Sequence, residues 1–171
     1  DRMSCKINSP DPENVPGVLQ VKCMNVMKGY FKNPEATDSV FKDGWMNTGD
    51  LCTMDSDGFI YIRGRNKNMI LGPSGQNIYP EEIEQRLNNL PYVSESIVVE
   101  KSGKLVALIY PDIELATKEG VISDIEKVMD DNINELNKEQ PAYSQITKAI
   151  IHYQEFEKTP KRSIKRYLYQ D

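Results

Sequence analysis

Pro80-Glu81-Glu82-Ile83-Glu84-Gln85-Arg86-Leu87-Asn88-Asn89-Leu90 is the stretch whose reading decides the fold. Proline suits the first turn of a helix, where its missing N–H would have no partner anyway. Glu81 and Glu82 then fall near the positive end of the helix dipole. Ile83, Leu87 and Leu90 recur at helical spacing, which predicts one buried stripe. Downstream, Glu95–Glu100 and Leu105–Tyr110 are predicted strands joined by Ser102-Gly103. A second helix is predicted over about Val121–Leu136, with Ile122, Ile125, Met129, Ile133 and Leu136 on one face. Gln145–Tyr153 alternates and predicts a further strand. Helix, two strands, helix, strand is the order of a small α+β domain with helices packed on a short sheet.

Upstream the texture is different. Residues 9–17 are a loop rich in turn residues, three of them proline, and Val18–Cys23 follows as a predicted strand. Leu51–Met54 and Phe59–Ile62 flank the turn Asp55-Ser56-Asp57-Gly58 and predict a hairpin. Met69–Leu71 is a short predicted strand, and Gly72-Pro73-Ser74-Gly75 a loop. The expected fold class is therefore α+β: a β-rich part first, then the small α+β domain, with the change of texture at Lys67.

Composition narrows the function classes. Of 171 residues, 39% are hydrophobic, which suffices for a core, yet no apolar run is long enough to span a bilayer. A net charge of −5 repels phosphate backbones, so no nucleic-acid partner is expected. Cys5, Cys23 and Cys52 are odd in number and lack metal-ligand spacing, so they are expected to be reduced thiols of a cytoplasmic protein. No metal site is expected, and His152, the one histidine, cannot build a His-based triad. An opening at Asp1 without an initiator methionine is read as a piece cut from a longer chain.

Three constellations carry chemistry. Pairing across the 55–58 turn sets Asp50 close to Arg63 and Arg65. A carboxylate beside a guanidinium suits vicinal hydroxyls flanked by a phosphate, and equally an ordinary cross-strand ion pair. The run from Lys158 to Arg166 holds Lys158, Lys161, Arg162, Lys165 and Arg166. It reads as a solvated face, as a strand-binding face with interleaved aromatics, or as the carrier of a lysine that neutralises charge at phosphorus. The loop 71–77 has two glycines that would admit close backbone approach to a ligand, but lacks the Lys-Ser/Thr ending of a nucleotide P-loop.

The segments, taken in order, resemble a known superfamily. Gly29-Tyr30-Phe31-Lys32-Asn33-Pro34-Glu35-Ala36-Thr37 precedes Asp43-Gly44-Trp45-Met46-Asn47-Thr48-Gly49-Asp50-Leu51. Asp57-Gly58-Phe59-Ile60-Tyr61-Ile62-Arg63-Gly64-Arg65-Asn66-Lys67 comes next, and then Asn77-Ile78-Tyr79-Pro80-Glu81-Glu82-Ile83-Glu84. This series is similar to the adenylate-forming enzymes: acyl-CoA synthetases, peptide-synthetase adenylation domains and luciferases. The tail Lys158-Thr159-Pro160-Lys161-Arg162-Ser163-Ile164-Lys165-Arg166 and the stretch Gln76–Pro80 look most like the long-chain fatty-acid–CoA ligases.

The resemblance implies a parent that joins a fatty acid to ATP as acyl-AMP with release of pyrophosphate, then passes the acyl group to coenzyme A. It implies that residues 1–66 are the distal end of a large AMP-binding domain and 67–171 its mobile C-terminal domain. Asp50 and Arg65 would bind the ATP or AMP ribose, Lys67 would be the hinge, and Gly75 would lie beside the pantetheine channel. Lys165 would be the catalytic lysine, with Lys161 as its competitor. Mg²⁺ would be held mostly by residues outside this chain, as would the acyl pocket, so the chain alone is expected to be inactive. A parent acting on fatty acids would have reason for peripheral membrane contact. Two departures stand out: Asn68 where an acidic residue is common, and Ile164 where glycine is common. The competing implications are an adenylation domain loading another acid onto a carrier-protein thiol, and a non-enzymatic binding module.

Overall fold

The computed structural model describes residues 3–170. The chain divides into two compact units, one ending at Asn68 and the other beginning at Met69.

In the first unit, β1 (Ser4–Asn8) and β2 (Gly17–Lys22) are antiparallel. The long strand β4 (Trp45–Met54) pairs with β2 on one edge. On its other edge it takes the short β3 (Phe41–Lys42) and then β5 (Ile60–Arg65). Asp43 and Gly44 join β3 to β4 with φ of 52° and 77°, the two positive angles that a two-residue hairpin of matching twist requires. A helix that the sequence reading did not anticipate, α1 (Pro34–Val40), precedes β3. Its cap is explicit in the residues: Asn33 Oδ1 accepts from Ala36 N–H at 3.0 Å and Pro34 opens the first turn. No residue of α1 is buried, so it has no apolar stripe to betray it.

The second unit holds the α+β arrangement. A small hairpin, β6 (Ile70–Leu71) and β7 (Asn77–Ile78), leads into α2 (Pro80–Leu87). The main sheet has three strands in the order β10-β9-β8. β8 (Val93–Lys101) and β9 (Lys104–Pro111) are antiparallel across Ser102-Gly103, while β10 (Ile146–Ile151) runs parallel to β9. Parallel neighbours need a crossover. It is supplied by α3 (Ile113–Lys118), capped by Asp112, and α4 (Ile125–Lys138). The helix expected from Val121 begins as a 3₁₀ turn at Ile122–Asp124 and becomes α-helical at Ile125.

Alternation along β8 and β9 distributes two cores. Val98, Leu105, Ala107 and Ile109 face Ile83 and Leu87 of α2 and Met129, Ile133 and Leu136 of α4. Ile97, Val99, Val106 and Leu108 face the other way and are covered by Phe156, with Ile164 and Tyr169 packed alongside. Strands buried on both faces read as nearly continuous apolar runs, as Ile97-Val98-Val99 and Leu105–Ile109 do. Phe156 is 2% exposed and stands among His152 and Tyr169, at ring separations of 5.0 and 5.2 Å.

Phe156→Ala is therefore expected to cost about 3–5 kcal/mol, because it uncovers one face of the sheet. Tyr153→Ala, at an exposed position, should stay within about 0.5 kcal/mol of the parent. Denaturant unfolding followed by far-UV circular dichroism distinguishes the two.

Candidate functional site

The hairpin of the first unit aims Asp50 by two irregularities. Opposite the single residue Leu19, β4 carries Thr48, Gly49 and Asp50, so the strand bulges there. Bulges of this kind re-aim side chains near sites. The bulge is fully hydrogen-bonded at its key points. Gly49 N–H donates to Asn47 Oδ1 at 2.8 Å, and Asp50 N–H to Thr48 Oγ1 at 3.1 Å. The Thr48 hydroxyl itself donates to Leu19 O at 3.1 Å. Gly49 sits at φ +77°, and a Cβ there would come within 3.4 Å of the Arg65 guanidinium.

On the other edge, Cys52 pairs with Ile62 but Leu51 pairs with Gly64, so Arg63 is the extra residue of β5. The sequence reading set Asp50 close to both Arg63 and Arg65, and the bulge separates the two. The register partner of Asp50 is Arg65, and Arg63 Nε instead donates to Thr53 Oγ1 at 3.3 Å. Arg65 Nη1 bonds Asp50 Oδ1 and also Thr48 O, the latter at 3.1 Å. The side chains remain 29% exposed for Asp50 and 53% for Arg65, so acceptor and donor are both accessible to solvent where β5 ends. That combination can take a pair of hydroxyls and an adjacent negative charge. Cys52, beneath them, is wholly buried, and burial pushes its thiol above the usual range, with the Asp50 carboxylate adding to the effect. It is a packed thiol and no nucleophile.

Immediately after β5, Asn66, Lys67 and Asn68 form a turn. Asn66 N–H donates to Gly49 O at 2.9 Å, and Asn68 N–H to Arg65 O at 2.9 Å. Lys67 lies between them, exposed.

In the second unit, Gly75 occupies the tip of the β6–β7 hairpin at φ +83°, and its N–H donates to Gly72 O at 2.9 Å. An added Cβ would meet open space. Beside this loop lies an open, largely apolar groove of about 570 Å³, bordered by Leu71, Pro73, Ser74, Lys104, Tyr143 and Thr147.

The basic tail turns out to be mostly neutralised from within. Lys158 Nζ reaches Glu95 Oε1 at 2.7 Å and also Glu155. Lys165 Nζ reaches Glu157 Oε2 at 3.0 Å, which raises its ammonium above the ordinary lysine value. Arg166 pairs with Glu84. Residues 158–164 form a tight reversal, closed by Thr159 N–H to Ser163 O at 2.8 Å, with Arg162 at φ 61°. Lys161 is exposed on that turn, while Lys165 follows it with its N–H held by Glu157 O at 2.8 Å. The two competing lysines thus differ in kind: Lys161 is exposed at the tip of the turn, while Lys165 is held in backbone and side chain by Glu157. Ile164 is used as packing against the Phe156 cluster.

Two participants went unnoticed in the sequence reading, Glu157 and Glu84. Glu84 had a signal: the buried positions of α2 are Pro80, Ile83, Glu84 and Leu87, so a carboxylate occupies a slot of the i, i+3, i+4, i+7 stripe. Its side chain is 9% exposed and that of Arg166 is 14%. Glu84 Oε1 accepts from Val98 N–H at 2.6 Å, and Arg166 Nη1 donates to Val98 O at 3.4 Å. Burial pushes the Glu84 carboxyl above the usual range, and the Arg166 guanidinium and the Val98 N–H pull it back only in part.

Among the described residues no group of three or more His, Cys, Asp or Glu side chains is placed to hold a metal ion. No described helix is long and apolar enough to cross a membrane, which says nothing of β-barrels.

The chain is similar in sequence and in structure to known proteins. Over 95 residues the chain is 50% identical to a long-chain-fatty-acid–CoA ligase of Yersinia pestis, covering 53% of this chain and 17% of that enzyme. It is 45% identical over 93 residues to a 2-succinylbenzoate–CoA ligase of Bacillus cytotoxicus, covering 54% of this chain and 19% of the relative. The chain thus spans less than a fifth of the curated relatives described here. Among solved structures it superposes on the O-succinylbenzoate coenzyme A synthetase of Bacillus subtilis in complex with ATP and magnesium. The TM-score is 0.77 at 26% identity, covering 99% of this chain and 34% of that one. A family model described as the AMP-binding enzyme C-terminal domain matches residues 67–170. With the family model matched over residues 67–170 and relatives that are acid–CoA ligases, the chain belongs to the AMP-binding enzyme C-terminal domain family of adenylate-forming enzymes.

Proposed function

We propose that the chain is the C-terminal part of an ATP-dependent long-chain fatty-acid–CoA ligase. Residues 1–66 close the large AMP-binding domain and 67–171 are its mobile domain. The reaction has two halves: acid and ATP give acyl-AMP and pyrophosphate, then coenzyme A displaces AMP to give acyl-CoA. The observation that carries the reading is the register of Asp50 on Arg65, built by two bulges, directly ahead of Lys67. An ordinary surface ion pair needs no such construction. The 50% identity to a long-chain ligase favours a fatty acid as the substrate.

In this reading the Asp50 carboxylate accepts from the ribose hydroxyls and Arg65 holds it in place while offering donors of its own. Lys67 is the pivot. Gly75, beside the apolar groove, leaves the pantetheine arm room to pass. Lys165, whose ammonium is paired with Glu157, transfers that contact to the reacting carboxylate and α-phosphate and stabilises the crowded negative charge there. Magnesium neutralises phosphate charge and is assigned to no residue of this chain. The three free thiols suit a reducing, cytoplasmic setting.

The chain by itself should release no pyrophosphate from ATP with any fatty acid; turnover at the rate of a complete ligase would sink the reading. Testing the full-length enzyme against both fatty and succinylbenzoate-like acids decides the substrate class. There, Lys165→Ala should slow adenylation by about 10²–10³ and spare thioester formation from supplied acyl-adenylate, whereas Lys161→Ala should slow neither. Lys67→Pro should do the reverse of Lys165→Ala. Proline fixes φ near −65°, so adenylation should persist while acyl-CoA formation fails, with Lys67→Ala as the control that frees the backbone. Full acyl-CoA formation by Lys67→Pro would move the pivot to Asn68.

A further inference from the structure

We propose that Glu84 is a positioning residue for Lys165, acting through Arg166. The inference rests on the reading that Lys165 serves adenylation, and goes beyond it by naming what holds that lysine in place. Lys165 is fixed from both sides. Ile164 before it packs on the apolar cluster of the sheet, and Arg166 after it enters the ion pair with Glu84.

Glu84 divides its two oxygens between two elements. One takes the outward N–H of Val98 on the edge strand β8, the other takes Arg166, and Arg166 returns to the Val98 carbonyl. The three groups form a closed circuit joining α2, β8 and the tail. Two-point contact leaves the tail neither free to slide along the strand nor free to turn about one bond.

Stability is a poor explanation for this arrangement. Burying both charges is costly, and a buried pair is often no better than apolar residues of the same volume. What the pair supplies and a leucine would not is direction. A lysine that must meet a reacting phosphorus needs its backbone placed closely, since a shift of about 1 Å can cost roughly 10²-fold in rate.

The test is Glu84→Gln in the full-length enzyme. Glutamine keeps the shape and an acceptor for Val98 N–H, and removes the charge paired with Arg166. Adenylation should fall by about 10²-fold, with the KM for ATP unchanged and thioester formation from supplied acyl-adenylate intact. In a Lys165→Ala background the same substitution should cause no further loss, because a residue that works through Lys165 has nothing left to position. Amide exchange at Lys165, whose N–H bonds Glu157 O, should quicken while exchange in α4 stays unchanged. Should Glu84→Gln fail to fold, Arg166→Gln breaks the same pair from the other side. Equal loss in both half-reactions, an added loss in the Lys165→Ala background, or unchanged exchange at Lys165 would each overturn the proposal. If Lys165→Ala itself left adenylation intact, the reading of Lys165 would be what failed, and the exchange data would still report whether Glu84 fixes the tail.

Discussion

A three-stranded sheet whose middle strand is apolar on both faces cannot be left bare on either, and the second unit is organised around that requirement. Val98, Ala107 and Ile109 demand helices on one side. Val106 and Leu108, between them in the alternation, demand a cover on the other, while α2, α3 and α4 all contribute to the first face. The tail is recruited instead. Phe156, Ile164 and Tyr169 lie on that face, so the segment bearing Lys165 is part of the core's closure and is no appendage. The outer edge of β8 would still present unpaired backbone groups. Glu84 and Arg166 take the place of a neighbouring strand at Val98, which places a pair of charges where a backbone amide and carbonyl would otherwise meet.

The first unit meets a different demand with local means. Its strands pair regularly wherever they only support one another, as at Cys5 with Val21 or Thr53 with Tyr61. Regularity breaks where Thr48-Gly49-Asp50 leaves the β2 ladder and where Arg63 leaves the β4 ladder. Both breaks converge on Asp50 and Arg65. A strand can point a side chain only to one face or the other, and the inserted residues provide the intermediate direction.

Much of this was legible from residues alone, for physical reasons that differ from element to element. The helix at Pro80 and the strands around Ser102-Gly103 announce themselves because burial imposes a period, and Ser102 and Gly103 indeed adopt φ of 52° and 74°. Helix α1 was invisible to the same logic, since no face of it is buried, although Asn33-Pro34-Glu35 spells its cap. The strand β3 was equally missed, despite the Asp43-Gly44 dipeptide that marks a two-residue hairpin. Asp50 was found through its neighbourhood with Arg65 among its candidate partners, but pairing alone did not separate Arg65 from Arg63, because a bulge changes register without any signature in composition. Glu84 shows the opposite failure: the stripe of α2 was read from its apolar members only. A charge inside a buried pattern announces a partner elsewhere in the chain, here 82 residues on.

The order in which the elements leave the ribosome gives the tail-covered face a further significance. β8 and β9 emerge well before residues 156–169, so Ile97, Val99, Val106 and Leu108 have no cover during that interval. At about 5–20 residues per second the delay between Leu108 and Phe156 is roughly 2–10 s. For that time a β-prone, uncharged surface beside an unpaired strand edge is open to any similar nascent chain, the situation in which sheets stack between molecules. Lysines and glutamates interrupt the exposed run at Glu100, Lys101 and Lys104, where they act as gatekeepers against that outcome. Charges at this turn protect the chain in its unfinished state, before the fold has use for them.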